Sequence, residues 1–223
     1  MKKKAIKKTV TAVVIVLVLL ILVCAAALVR IHVKTAAIRT DYSAVFRDEK
    51  YQKPVRVDGV EVITQDVSCG YAVIEMFSRW NGGDLTEEDL YAEYGKVVTS
   101  TGKAFCEEMN KRFPEYTTTM RSYLTNTELI DAVYTSLSEG KPVPVEWAAR
   151  YGDDWTLHYS LIVGMDIPND RVTVANPYGY MEEISVAEFL DRTSFAAYEH
   201  MPLFLKLGFA FGFFEKNTVF TVA

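Results

Sequence analysis

A few side chains in this sequence have the types and the order that thiol-based acyl transfer needs. Cys69 stands in Gln65-Asp66-Val67-Ser68-Cys69-Gly70-Tyr71-Ala72, where a polar loop turns into an apolar helix. Unpaired backbone N–H groups and the positive end of the helix dipole favour an anion there, so the thiol is expected to ionise easily. Gly70 beside it is expected to let a substrate backbone approach closely. A thiolate attacking an amide carbonyl builds a tetrahedral oxyanion, for which the N–H of Cys69 and the side-chain amide of Gln65 are the natural donors. The leaving amine then needs a proton. His158, at the start of the apolar run Tyr159 to Met165, is the imidazole held firmly enough to supply it.

A third residue follows from strand pairing. If His158–Met165 and Arg171–Asn176 form a hairpin centred near Ile167, paired positions add up to about 334 and Asn176 lies opposite His158. Its amide oxygen would then accept the Nδ1–H of His158 and leave Nε2 facing Cys69. Each residue also has a plainer reading. Cys69 can be a packing residue, His158 can satisfy a turn, and Asn176 can open a turn ahead of Pro177.

Elimination narrows the choice. The three cysteines are Cys24, Cys69 and Cys106, and the three histidines are His32, His158 and His200. Cys24 lies in an apolar run, and Cys106 reads as a small hydrophobe beside Phe105 and Met109. A Cys69–Cys106 disulfide would end the enzyme reading. No Gly-x-Ser-x-Gly, Gly-Lys-Ser phosphate loop or His-Glu-x-x-His occurs, and so few dispersed ligands hardly supply a zinc site. No cofactor and no metal are expected. Trp155 and Tyr159 either line a substrate cleft or pack in the core.

The elements that must position these residues are legible from period and caps. Val73, Met76, Phe77 and Trp80 give one buried face to a helix that starts at Cys69 and stops at Asn81-Gly82-Gly83. Thr86 with Asp89, Thr125 with Glu128 and Ser185 with Glu188 open further helices. Val143–Trp147, His158–Met165, Arg171–Ala175 and Asn217–Val222 have strand composition. Helices ahead of an antiparallel sheet make the class α+β, as one domain over residues 55–223. Met201–Phe214 is apolar and too short to span a bilayer, so it is expected to be core, with a surface leaning on the membrane as the sharper alternative.

Thr9 to Val29 has no ionisable side chain except the Cys24 thiol and reaches roughly 30 Å as a helix, enough to cross a bilayer. Lysines crowd residues 1–8 ahead of it, which orients the N-terminus to the cytoplasm and the rest outside. A signal peptide cut near Ala25-Ala26-Ala27 is the alternative. Residues 30–54 read as a juxtamembrane stalk. The chain has 24 basic and 29 acidic residues, and seven of the basic ones precede position 35, so the exported part is strongly acidic and unsuited to nucleic acid. Expected partners are a peptide or protein substrate and, through the N-terminal helix, the plasma membrane.

Gln-x-x-x-Cys-Gly-x-Ala-x-x-x-Met, then His-Tyr-Ser-Leu-Ile-Val-Gly-Met-Asp, then Val-x-Val-x-Asn-Pro-Tyr-Gly resembles cysteine peptidase family thirty-nine from about Val60 onward. Its best-known members process bacteriocin leaders. The resemblance implies a papain-like fold, with Cys69 as nucleophile, His158 as base, Asn176 as third member where the family usually has Asp, and Gln65 as oxyanion donor. It implies hydrolysis of a peptide or isopeptide bond. Transpeptidation by the same residues and an inactive binding module on the same fold stay open.

Overall fold

The computed structural model describes residues 2–95, 99–195 and 200–223; for residues 2–7, Tyr151 and Asp154 only the backbone is considered. Along the chain come α1 (Lys2–Ile38), β1 (Val55–Arg56), α2 (Cys69–Trp80), α3 (Glu87–Tyr94), α4 (Gly102–Arg112), β2 (Thr118–Arg121) and α5 (Asn126–Ser138). Then follow β3 (Val143–Tyr151), β4 (Asp154–Asp166), β5 (Arg171–Asn176), β6 (Tyr180–Ile184), α6 (Val186–Thr193), α7 (Leu203–Phe211) and β7 (Thr218–Val222).

The helices begin where the sequence offers a capping oxygen. Ser68 accepts from the N–H of Tyr71 at 3.2 Å and opens α2. Thr86/Asp89 and Thr125/Glu128 form reciprocal capping boxes at α3 and α5, and Ser185 caps α6. α4, which the sequence reading lacks, also starts at a capping threonine, Thr101.

The strands form one antiparallel sheet in the order β2-β7-β3-β4-β5-β6, with β1 added against the far end of β4. Alternation along β4 divides the core. Tyr159, Leu161 and Val163 join Phe77, Phe105 and Met109 beneath α2 and α4. Ile162, with Trp147 and Val174, packs instead under α5 and α6, against Leu129, Val133 and Phe189. The class is therefore α+β, with helices on both faces of the sheet rather than grouped on one.

On the α2 face Glu146 is fully buried, with the Tyr159 hydroxyl beside its carboxyl group. Burial pushes its pKa up to about 8, so it stays protonated at neutral pH, as an unpaired buried charge would be too costly.

Two expectations about the ends of the domain change. Residues 30–54, expected as a juxtamembrane stalk, pack in part against the domain. α1 continues to Ile38, Ile31 and Ile38 are buried, and two 3₁₀ turns (Ser43–Arg47 and Glu49–Tyr51) bury Val45 and Tyr51. Tyr51 donates to Asp131 of α5 at 2.7 Å. Met201–Phe214 is only half core. Leu205, Phe209 and Ala210 are buried with Ile31, while Leu203, Phe204, Phe211 and Phe213 face outward. Composition alone could not separate the two faces of a helix this uniformly apolar.

Candidate active site

The loop before α2 is pinned from two sides. The N–H of Gln65 donates to the carbonyl of Pro177 at 2.7 Å, and Thr64 bridges to Tyr178. The N–H groups of Asp66 and Val67 both donate to Glu87 Oε2, at 3.0 and 2.7 Å. Gln65 and Cys69 are thereby held against the end of β5. Together with His158 they line a cavity of about 460 Å³, walled further by Trp155, Tyr178 and Phe204. Trp155 is thus a cleft residue, whereas Tyr159 is core, stacked on Phe105 with ring centroids 4.7 Å apart. Cys69 and Cys106 are free thiols, and Cys106 donates to the Thr118 carbonyl at 3.4 Å.

His158 reaches Asn176 through a corrected register. The base of the hairpin pairs Asp166 with Arg171 and Gly164 with Thr173. A ladder continued straight from there would set Asn176 opposite Leu161, on the wrong face for His158. The register slips by one between Ile162 and Gly164, so Leu161 pairs with Ala175 and Asn176 falls opposite Ser160. The sequence reading placed Asn176 directly opposite His158. The real offset is two residues, an even number, so both side chains still share a face and meet diagonally.

The contact is His158 Nε2 to Asn176 Oδ1, 3.0 Å. This reverses the expected tautomer. An amide oxygen can only accept, so Nε2 carries the hydrogen and Nδ1 the lone pair. Asn176 is itself fixed, because Nδ2 donates to Glu182 Oε2 at 2.9 Å and Oδ1 also accepts from the N–H of Tyr178 at 3.1 Å. Glu182 pairs with Arg192 Nη1 at 2.6 Å, and that guanidinium lies over Trp147, 3.5 Å from the ring centroid. Tyr178 stacks on the imidazole, centroids 4.2 Å apart and planes 24° from parallel. Tyr178 and Glu182 were missed in the sequence. Tyr178 stands two places after Asn176 and could have been found there; Glu182 depended on the β5–β6 pairing.

Burial controls the ionisation of the pair. It pushes the Cys69 thiol up to about 11, although the N–H groups of Tyr159, Gly70 and Cys69 pull the other way. It pushes His158, 1% exposed, down to about 4 against the Asn176 hydrogen bond. A helix terminus is worth roughly 0.3–1 kcal/mol, less than one pKa unit, whereas burial can move a thiol by several. The expected resting thiolate is therefore corrected. Burial thus favours a neutral thiol and a neutral imidazole at neutral pH.

Gly70 has a different use from the one expected. A Cβ there would sit 2.4 Å from the Thr99 side chain, so the glycine admits Thr99 and not a substrate backbone. Gln65 lines the cleft, with its Oε1 buried and without a hydrogen-bond partner.

The Glu182 contact carries a prediction. Glu182→Gln is expected to lower kcat about tenfold with little change in KM, the cost of one charge-assisted hydrogen bond. Removing its negative charge also lowers the imidazole pKa, so the acid limb of the pH–rate profile should move to lower pH. Steady-state kinetics from pH 3 to 8 check both, and a purely structural Glu182 would leave the limb in place.

No curated protein sequence matches the chain. A protein-family model, the Peptidase_C39 like family, matches residues 57–201, which include Gln65, Cys69, His158 and Asn176. That span holds α2, β3, β4 and β5, the elements that build the cleft, and the α+β arrangement fits the papain-like fold. With a free thiol and a buried imidazole lining one cavity of such a fold, and an asparagine bonded to that imidazole, the chain belongs to the Peptidase_C39 like family of cysteine peptidases.

Proposed function

We propose that the protein is a membrane-anchored peptidase that hydrolyses peptide or isopeptide bonds outside the cytoplasm, with Cys69, His158 and Asn176 as its catalytic triad. The observation that carries the reading is the shared cavity of Cys69 and His158, with Asn176 holding Nε2 and thereby freeing Nδ1 for the thiol. As the sulfur attacks the carbonyl carbon, its proton passes to Nδ1. The oxyanion accepts from the Cys69 N–H and Gln65 Nε2. The imidazolium then gives its proton to the leaving nitrogen as the C–N bond breaks, leaving a thioester on Cys69. Water, deprotonated by Nδ1, opens the thioester and restores the thiol.

Anchoring is supported by α1, which contains a segment with mean hydropathy 3.5 and is long and apolar enough to cross a membrane. Ala25 to Ala27, the small residues a signal peptidase would need, lie inside this unbroken helix, and Ala27 packs against the domain. The lysines before the span put the catalytic part on the far side.

The test is incubation of the full chain with a peptide library in H₂¹⁸O, followed by mass spectrometry. New C-termini carrying ¹⁸O are expected. Joined peptides without ¹⁸O would replace hydrolysis by transpeptidation, and an unchanged library would mark an inactive binding module.

A further inference from the structure

α7 is apolar from end to end except for Lys206, and the protein covers only one side of it. Leu205, Phe209 and Ala210 pack on Ile31 and Ala27 of α1. Gly208 lets the Phe214 ring lie close, since a Cβ there would come within 2.3 Å of it. The other side presents Leu203, Phe204 and Phe213, which are 70%, 69% and 67% exposed, with Phe211 beside them. Phe204, Phe211 and Phe213 rim an apolar depression of about 360 Å³, together with Leu207 and Phe214. So concentrated a patch on one short helix has a specific use.

What covers it follows from α1. The apolar span ends at Val29, and α7 touches the helix at Ala27 and Ile31, which bracket that point. Two residues of helix rise roughly 3 Å, so α7 lies at the level where the span leaves the hydrocarbon. Arg30 is exposed at that level, where its charged head can reach the headgroups. The start of α7 also belongs to the cleft, since Pro202, Phe204 and Leu205 line the cavity that holds Cys69 and His158.

We propose that the outer face of α7 rests in the surface of the bilayer that α1 crosses, so that the cleft opens along that surface and takes polypeptide segments held on or emerging from it. This rests on the anchored-peptidase reading above. The seated helix fixes the height of the cleft wall, and Phe204 links lipid and cleft. A chain lying on the membrane meets Cys69 without leaving the interface, whereas a freely dissolved peptide gains nothing from the seating.

The test uses the full chain in vesicles of phosphatidylethanolamine and phosphatidylglycerol. Phe213→Trp and Leu19→Trp are compared, each as the difference from wild type, with lipids brominated near the carbonyl end or near the terminal methyl of the acyl chain. Position 213 is expected to be quenched by the shallow bromines and position 19 by the deep ones. Quenching at 19 but not at 213 overturns the seating of α7 and leaves the anchor standing. Quenching at neither overturns the anchor and this proposal with it.

The substrate class is tested with one peptide cleaved in the library experiment, offered free or linked to a lipid headgroup. The wild type is expected to cleave the linked form at least tenfold faster. Leu203→Ser/Phe211→Ser/Phe213→Ser should lose that advantage and keep its rate on the free peptide. Equal rates on both forms, or an advantage that survives the triple substitution, overturn the substrate class.

Discussion

Cys69→Ala is expected to lower hydrolysis by about 10⁴-fold or more while leaving the melting temperature nearly unchanged. The size follows from the chemistry, because Cys69 is the one thiol among the described residues that line the cavity. Ser68 is the near neighbour, but its hydroxyl accepts from the Tyr71 N–H as the cap of α2. Cys106 is engaged with the Thr118 carbonyl. The fold should tolerate the change because residue 69 occupies the first turn of a capped helix and its side chain only skirts the core. Turnover assays beside circular-dichroism melts check the two halves separately. A variant that keeps a tenth of the wild-type rate would remove Cys69 from the mechanism.

His158→Ala is expected to cost roughly 10³- to 10⁴-fold in kcat at neutral pH, with a smaller change in KM. Without the imidazole nothing in the cavity accepts the thiol proton, and a thiol pushed up to about 11 supplies only a trace of thiolate at pH 7. Raising the pH supplies it directly, so the variant should recover as hydroxide rises while the wild type does not gain. Kinetics measured from pH 6 to 10 on both proteins decide this. The Asn176 amide and the stacked Tyr178 remain in the variant, so the experiment isolates the base from its supports.

Much of the scaffold was legible because its signals are local. Thr86, Thr125 and Ser185 cap helices where their side-chain oxygens predict caps, and β3, β4, β5 and β7 lie on the predicted strand segments. The four candidate residues come from segments that each announce themselves by pattern. What failed depends on tertiary context. The hairpin register was misplaced because the turn centres between Pro168 and Asn169 and not near Ile167, and the extra residue near Val163 takes back only one position of that error before the ladder reaches Asn176. Gly164, tight against Thr173 and the Val55 carbonyl, was the available signal, since a glycine inside a strand often marks such a slip.

The other misses share a cause. The ionisation of Cys69 was read from the helix terminus, which sequence reveals, and not from burial, which only the closed cleft reveals. Gly70 was assigned to substrate because Thr99 is far away in sequence and adjacent only in space. Likewise α7 was assigned to the core because its composition is that of core, and only its docking on Ile31 shows which side is left uncovered. The tautomer of His158 was inverted for want of the ring's orientation, which is set by Asn176 and Tyr178 together.

The central claim is that a neutral thiol is made reactive by one neighbouring imidazole. It is tested most directly by the rate of Cys69 alkylation by iodoacetamide as a function of pH, in the wild type and in His158→Ala, with the modified residue located by peptide mapping. In the wild type the rate should rise as His158 loses its proton near pH 4 and then stay level through neutral pH. In the variant it should climb about tenfold per pH unit towards a thiol pKa of about 11. Two superimposable profiles would contradict the account.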